Sequence, residues 1–198
     1  MVSDRELMRK CKEGNPKYQA LLYEQYSNYL MGVCMRYTRN EEDAKDLLQD
    51  VFVKIFTNID SCKEDGNMAG WIHAIAVNTA INAYHKKKRK GNTVDMEDVE
   101  EMVADIHIQQ NDFLSEKILM KFVNELPDGY RTVFNLFEID GYSHREVSEM
   151  MGSSYSTVRS QLFKAKRSLQ KKIEAFLGKE LKDKGIKSKE TTQEPTSE

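Results

Sequence analysis

Between Ala44 and Ile59 the apolar residues Ala44, Leu47, Leu48, Val51, Phe52, Ile55, Phe56 and Ile59 return at steps of three and four. Only an α-helix puts that spacing on one face, and a stripe so continuous must be buried against other elements. The flanking segments supply them. Tyr18, Leu21, Leu22, Tyr26, Tyr29, Leu30, Val33, Cys34 and Tyr37 form a second stripe, and Trp71, Ile72, Ile75, Ala76, Thr79, Ala80 and Ala83 a third. Asn40 is placed to cap the middle helix, with Glu41, Glu42 and Asp43 favouring its positive N-terminal end. The third stripe follows a polar stretch, Asp60 to Asn67, and runs into Lys86-Lys87-Lys88-Arg89-Lys90. With 3 prolines and 10 glycines in 198 residues, turn formers are too scarce for a many-stranded sheet, and an all-α fold is expected.

Residues 92–112 contain seven acids and no Lys or Arg, the composition of an extended acidic linker. They separate a first domain, residues 1–91, from a second, residues 113–177. The second domain starts with Leu114, Ile118, Phe122 and Leu126, is broken at Pro127-Asp128-Gly129, and resumes with Val133, Phe134, Leu136, Phe137 and Ile139. Gly141 ends that helix. Ser143-His144-Arg145-Glu146 has capping-box spacing and opens a short helix that closes at Gly152. A longer helix follows from about Ser154, with the stripe Val158, Leu162, Ala165, Leu169, Ile173 and Phe176. A short helix, a glycine turn and a long basic helix make the layout of a helix-turn-helix, whose second helix enters the DNA major groove. Residues 178–198 hold five acids, five lysines and few apolar groups, as a disordered tail would.

The formal net charge of -2 conceals a strong polarity. Residues 86–90 carry +5 and residues 154–172 carry +6, so the rest of the chain stands at -13. Two basic faces in an acidic body suit a polyanion on one side and a basic or apolar partner on the other. Cys11, Cys34 and Cys62 are odd in number and show no Cys-x-x-Cys pair, which argues against a disulfide framework and a zinc finger and suits a reducing cytoplasm. The N-terminus is charged by its fourth residue and no signal-peptide run follows. The four histidines lie apart from other ligands, and no phosphate loop, nucleophile elbow or His-Glu-x-x-His occurs. Neither catalysis, a metal nor a cofactor is expected.

Two sets of residues look fit for nucleic acid. Ser154, Ser156, Thr157, Arg159, Ser160, Lys164 and Arg167 belong to the first turns of the basic helix, where hydroxyls and lysines can hold phosphate and an Arg can reach guanine. Trp71, Asn78, Asn82, His85, Lys86, Lys87 and Arg89 share the third helix and offer stacking, amide hydrogen bonds and charge to exposed bases. Trp71 lies on the apolar stripe, where a tryptophan is more often a core residue. On the middle helix, Asp43, Asp46, Gln49 and Asp50 flank the stripe and are either an ordinary solvated edge or a docking face for a basic helix.

The blocks Asp43-Ala44-Lys45-Asp46-Leu47-Leu48-Gln49-Asp50-Val51-Phe52, Gly70-Trp71-Ile72 through Ile75-Ala76-Val77-Asn78, Leu126-Pro127, Gly141-Tyr142-Ser143 and Thr157-Val158-Arg159-Ser160 resemble, in this order, the extracytoplasmic-function group of sigma-70 RNA polymerase sigma factors. The resemblance spans about residues 15 to 175. It implies that Asp43, Asp46, Leu47, Gln49, Asp50 and Phe52 bind the β′ clamp helices of the polymerase core. It further implies that the third helix and the loop Asp60 to Asn67 open the promoter minus-10 element and capture an unstacked base, and that the helix-turn-helix reads the minus-35 element beside the β flap. The acidic linker would thread the polymerase channels. Regulation would come from an anti-sigma protein, commonly anchored in the inner membrane, with no membrane insertion by this chain. Val77, Asn82 and Gln161 stand where the family often has Arg, Asp and Arg, so the promoter elements are expected to differ from the commonest ones.

The other reading of these residues is a stand-alone helix-turn-helix regulator that binds duplex operator DNA without polymerase. On either reading, replacing Arg159 by Ala should cost about 1 to 3 kcal/mol of DNA binding and relax base preference at one position. Replacing Lys171 by Ala should weaken all sequences alike, and binding titrations on a panel of point-substituted sites check the contrast.

Overall fold

A computed structural model describes residues 2–63, 66–91 and 115–183, and structural statements below concern those residues. They form α1 (Asp4–Lys12), α2 (Pro16–Tyr37), α3 (Glu41–Thr57), α4 (Met68–Arg89), α5 (Glu116–Asn124), α6 (Asp128–Phe134), α7 (His144–Met151) and α8 (Tyr155–Asp183). A 3-10 turn at Ile59–Ser61 follows α3, and a π turn at Asn135–Ile139 prolongs α6. No strand occurs among the described residues.

Asparagines start three of the four helices of the first domain. Asn15, Asn40 and Asn67 accept amide hydrogens of Lys17, Asp43 and Gly70 at 3.1, 2.7 and 2.9 Å, satisfying donors that a helix start leaves orphaned. The fourth helix, α1, is absent from the sequence reading, which found nothing regular before Tyr18. Its apolar side consists only of Leu7, Met8 and Cys11, too short a run for periodicity to register. The local signal was there: Ser3 accepts from Glu6 N at 3.3 Å, and Asp4 and Glu6 sit in the first turn. The first core is built from Leu22, Leu30 and Val33 of α2, Val51 and Ile55 of α3, and Ile72, Ala76 and Val77 of α4, all at 1% exposure or less.

In the second domain α6 and α7 pack on α8. Val133, Leu136, Val147 and Val158 are fully enclosed, and Val123 and Leu126 meet Ala165 and Leu169 in a smaller cluster. Two glycines make its turns. Gly141 has φ +77° and Gly152 +57°, left-handed values that cost a side chain strain and reverse the chain on both sides of α7. The capping box forms as expected: Ser143 N donates to Glu146 Oε2 at 2.8 Å while Ser143 Oγ accepts from Glu146 N at 3.3 Å.

The two domains touch. Val133, Leu136, Val147, Met151, Val158 and Leu162 belong to the same buried apolar cluster as α1 to α4. This placement could not be read from the sequence. One boundary also moves: α8 passes through Gly178 to Asp183, where a disordered tail was expected from residue 178. A helical glycine costs about 1 kcal/mol relative to alanine, and good helix formers flank it, Leu177 on one side and Lys179-Glu180-Leu181-Lys182 on the other. The rest of the tail, residues 184–198, and the linker 92–112 lie outside the described residues.

Because the capping box starts the first helix of the helix-turn-helix, Ser143→Ala should destabilise the second domain by about 1 kcal/mol, a few degrees in Tm. Arg145→Ala, which removes only an exposed pair with Glu149, should leave the melting curve unchanged. Thermal unfolding followed by circular dichroism checks both.

Candidate nucleic-acid interface

The row Asp43, Asp46, Gln49 and Asp50 of α3 is exposed along its length. Burying the opposite stripe leaves these positions outward by the 3.6-residue period. Asp43 is partly committed to the helix start, its carboxylate accepting from Asn40 Nδ2 at 3.2 Å. Leu47 and Phe52, assigned to docking by the resemblance, are only 6% and 5% exposed. Both sit on the stripe that faces α2 and α4, and Phe52 stacks with Phe56 and meets Tyr23 at a centroid distance of 4.5 Å. Val53, which sequence reasoning passed over, lies one turn beyond Gln49 and is 63% exposed. A valine interrupting an otherwise polar flank was the available signal.

A groove of ≈ 410 Å³ lies between α3 and α4, lined by Lys54, Asn82, Lys86, Lys87 and Lys90 with Asp50 at one side. It gathers Asn82, Lys86 and Lys87 from the predicted set with Lys90 of the same basic cluster, and adds Lys54, which the sequence alone does not mark. The clustered lysines also end α4, where cations oppose the negative pole of the helix. Asn78, Lys86 and Arg89 are exposed, whereas Trp71 is half-buried and packs on the core. Val77 has no exposure at all and belongs to the core.

At the start of α8, Ser154, Ser156, Thr157 and Arg159 are exposed, with Ser160 and Lys164 partly so and Arg167 open. Ser154 caps the helix, accepting from Thr157 N at 3.1 Å, and its hydroxyl lies 2.8 Å from those of Ser156 and Thr157. The guanidinium of Arg159 stands 6.0 Å from the ring centroid of the exposed Tyr155. Further along the helix, Lys166 pairs with Glu138 at 2.7 Å and Lys172 with Glu125 at 2.6 Å within the domain.

Where the domains meet, the last carbonyls of α2 are taken by side chains of the second domain. Asn135 Nδ2 donates to Arg36 O at 2.7 Å, and Arg131 reaches Tyr37 O at 3.4 Å. Asp128 accepts from Arg39 and Arg131 at 2.8 Å and pairs with Lys87 at 3.1 Å. Asp140 accepts from the Tyr37 hydroxyl, pairs with Arg36 at 3.1 Å and faces His73 Nε2 at 3.3 Å. On its other side the ring has Nδ1 2.8 Å from the Tyr29 hydroxyl. Burial alone would raise Asp140; hydrogen bonds from His73 and Tyr37 and the charge of Arg36 outweigh it and hold the carboxyl below its usual value. Asp128 is likewise pushed up by burial but brought below normal by Arg131, Arg39 and Lys87. Burial pushes Arg131 down and the Tyr37 phenol up.

The three cysteines are buried and unpaired, and burial pushes the Cys34 thiol up to about 12. Among the described residues, no group of three His, Cys, Asp or Glu could hold a metal ion, and no helix is long and apolar enough to cross a membrane.

Comparison with known proteins assigns the class. The family model Sigma-70 region 2 matches residues 22–90, and the model Sigma-70, region 4 matches residues 116–169. The chain belongs to the sigma-70 family, in its extracytoplasmic-function group. It is a sigma factor, the subunit that directs RNA polymerase to promoters. The ECF RNA polymerase sigma-E factor of Haemophilus influenzae is 29% identical over 186 residues, covering 89% of this chain and 98% of the relative. The Escherichia coli sigma-E factor is 27% identical over 186 residues, covering 89% and 97%. Among solved structures, RpoE of Bartonella quintana in complex with the anti-sigma factor NepR has a TM-score of 0.49 at 22% identity over 78% of this chain and 96% of that one. CnrH in complex with the cytosolic domain of CnrY has a TM-score of 0.46 at 20% identity, covering 87% and 97%.

The lowered carboxyls at the junction set its pH response. Free carboxylates titrate near 3.9, so the contribution of Asp128 and Asp140 is complete above about pH 4 and is lost as pH falls below it through the folded values. Melting temperatures measured from about pH 6 to about pH 3 should drop less steeply for Asp140→Asn than for the wild type. Equal slopes would contradict the assignment.

Proposed function

We propose that the exposed acidic row Asp43, Asp46, Gln49 and Asp50, with Val53 beside it, docks on a basic helical arm of the RNA polymerase core. Charge gives the encounter its rate and register, and the single aliphatic contact adds apolar burial once water is expelled. Leu47 and Phe52 act beneath it by fixing the helix, since neither is open to a partner.

The lysine-lined groove between α3 and α4 then holds the backbone of the opened minus-10 strand. Lys54, Lys86, Lys87 and Lys90 supply phosphate contacts, and Asn78 and Asn82 supply hydrogen bonds to unstacked bases. Flipping one base costs a few kcal/mol, which stacking and hydrogen bonding in a loop pocket can offset. The loop from Asp60 to Asn67 is the candidate, although residues 64 and 65 lie outside those described. The start of α8 reads the minus-35 duplex through Arg159, with Ser154, Ser156, Thr157, Ser160, Lys164 and Arg167 on phosphates. The factor works in the cytoplasm, as the third partner to polymerase and promoter, and is restrained by an anti-sigma protein.

The observation that carries this reading is the segregation of charge: an exposed acidic row on α3 stands apart from two cationic surfaces on α4 and α8, all three outside a continuous apolar core. Reversing the row tests it. Asp46→Lys with Asp50→Lys should lower run-off transcription at least tenfold and abolish co-elution with core polymerase while the circular dichroism spectrum stays unchanged. An unaltered transcript level contradicts polymerase docking, and tight operator binding without polymerase in a gel shift would favour a self-sufficient regulator instead.

A further inference from the structure

We propose that Tyr155 determines sequence preference in the second domain: the open face of its ring packs on the 5-methyl group of a thymine in the minus-35 duplex, beside the base that Arg159 meets. The inference rests on the reading of α8 given above and deepens it, since that reading leaves Tyr155 without a part.

Three observations support it. The first is an aromatic ring left open to water. Tyr155 is in register with the buried stripe of α8, three residues before Val158 and seven before Leu162, yet it is 52% exposed where they are 0% and 5%. Every other Phe and Tyr described in the second domain is at least partly covered. Leaving half of a tyrosine in water forfeits burial that the domain takes elsewhere. Tyr155 is also the first residue of α8, and helical side chains lean toward the N-terminus, so its ring leads when that helix enters a major groove.

The second observation is that the ring is held from behind. His144, the first residue of α7, lies against Tyr155 at a centroid distance of 5.6 Å, and Phe137 of the π turn lies against His144 at 4.2 Å. Three elements of one domain thus contribute one ring each to a column that ends at Tyr155. Burial, with the charges of Arg159 and Lys166 and against that of Glu138, holds the His144 imidazole below its usual value. The column is therefore uncharged at neutral pH. A ring propped in this way loses little freedom on binding, which a contact to one methyl group requires.

The third is the company the ring keeps. Arg159 stands one turn further along, its guanidinium carbon 6.0 Å from the Tyr155 centroid. At about 3.4 Å per base step, that separation spans at most two base pairs, so ring and guanidinium address neighbouring bases. The exposed hydroxyls of Ser154, Ser156 and Thr157 suit phosphates, and Tyr155 supplies the large apolar surface that they lack. In the major groove thymine is the base that presents a methyl group, and apolar contact is what recognises it. A tyrosine hydroxyl on phosphate is the competing role. The two differ in what they sense, because a methyl contact is tied to one base and a phosphate contact to none.

The test uses polymerase core saturated with the full-length chain. The wild-type holoenzyme selects duplexes from a library randomised over the minus-35 region, and each thymine of the selected site is replaced in turn by deoxyuridine, which lacks only the methyl. One thymine, within two base pairs of the position whose preference Arg159→Ala relaxes, should lose about fourfold in affinity, the worth of one buried methyl. Tyr155→Phe should keep this effect and Tyr155→Ala should abolish it at that thymine alone, both with the wild-type circular dichroism spectrum. A selected site without thymine, a wild type indifferent to every deoxyuridine, or a Tyr155→Ala holoenzyme that still senses the same methyl overturns the proposal. So does a loss in Tyr155→Phe that falls alike on all duplexes, which puts the hydroxyl on phosphate instead. Failure of the wild-type holoenzyme to select any duplex, or an unaltered base preference in Arg159→Ala, overturns the underlying reading of α8, which the deoxyuridine series does not depend on to report Tyr155.

Discussion

The C-terminus of α2 is the point on which the arrangement turns. A helix ends with carbonyls that its own ladder cannot satisfy and with a negative pole that favours cations. Here Cys34 O is met locally by Thr38, but Arg36 O and Tyr37 O are met by Asn135 and Arg131 from the second domain. Arg131 is buried to do this, and a buried guanidinium demands a counter-charge, which Asp128 provides at 2.8 Å. Asp128 in turn gathers Arg39 and Lys87, and one π turn further along Asp140 gathers Arg36, Tyr37 and His73. One unsatisfied helix end thus organises the polar part of the interface between domains.

Functionally, the fold keeps opposite charges on different helices and uses apolar stripes to hold those helices in fixed registers. The acidic flank of α3 and the lysines of α4 border each other at Asp50, which lies at the edge of both clefts. On the proposed function, polymerase docking and strand capture are neighbouring events on one small domain. The helix-turn-helix builds its turns from its own residues, through Gly141, Gly152 and the Ser143 capping box.

How far the sequence could be read differs from element to element. The stripes of α2, α3, α4 and α8 are long, and a 3.6-residue period repeated over four or more turns leaves little room for another secondary structure. The capping box and the two left-handed glycines were legible because their chemistry is local. α1 was not, since three apolar residues are too few to show a period. Leu47 and Phe52 were placed on a partner surface by the family motif, yet periodicity alone puts them on the buried stripe, and burial followed periodicity. Lys54 belongs to the candidate groove only because α3 and α4 cross as they do, and it does not stand out in a linear reading.

What the chain's own order of residues decided is the set of helices, their caps, the exposed charge rows and the family to which they belong, because each depends on spacing within one segment. What tertiary structure alone decided is which carboxylates meet which cations. Asp128 and Asp140 lie more than forty residues from Lys87, and about a hundred from Arg36 and Tyr37, in the sequence. No periodicity or cap spacing pairs charges so far apart. That pairing arises when burying the apolar faces of α6 and α7 against α2 and α4 forces the remaining polar groups to find partners across the junction.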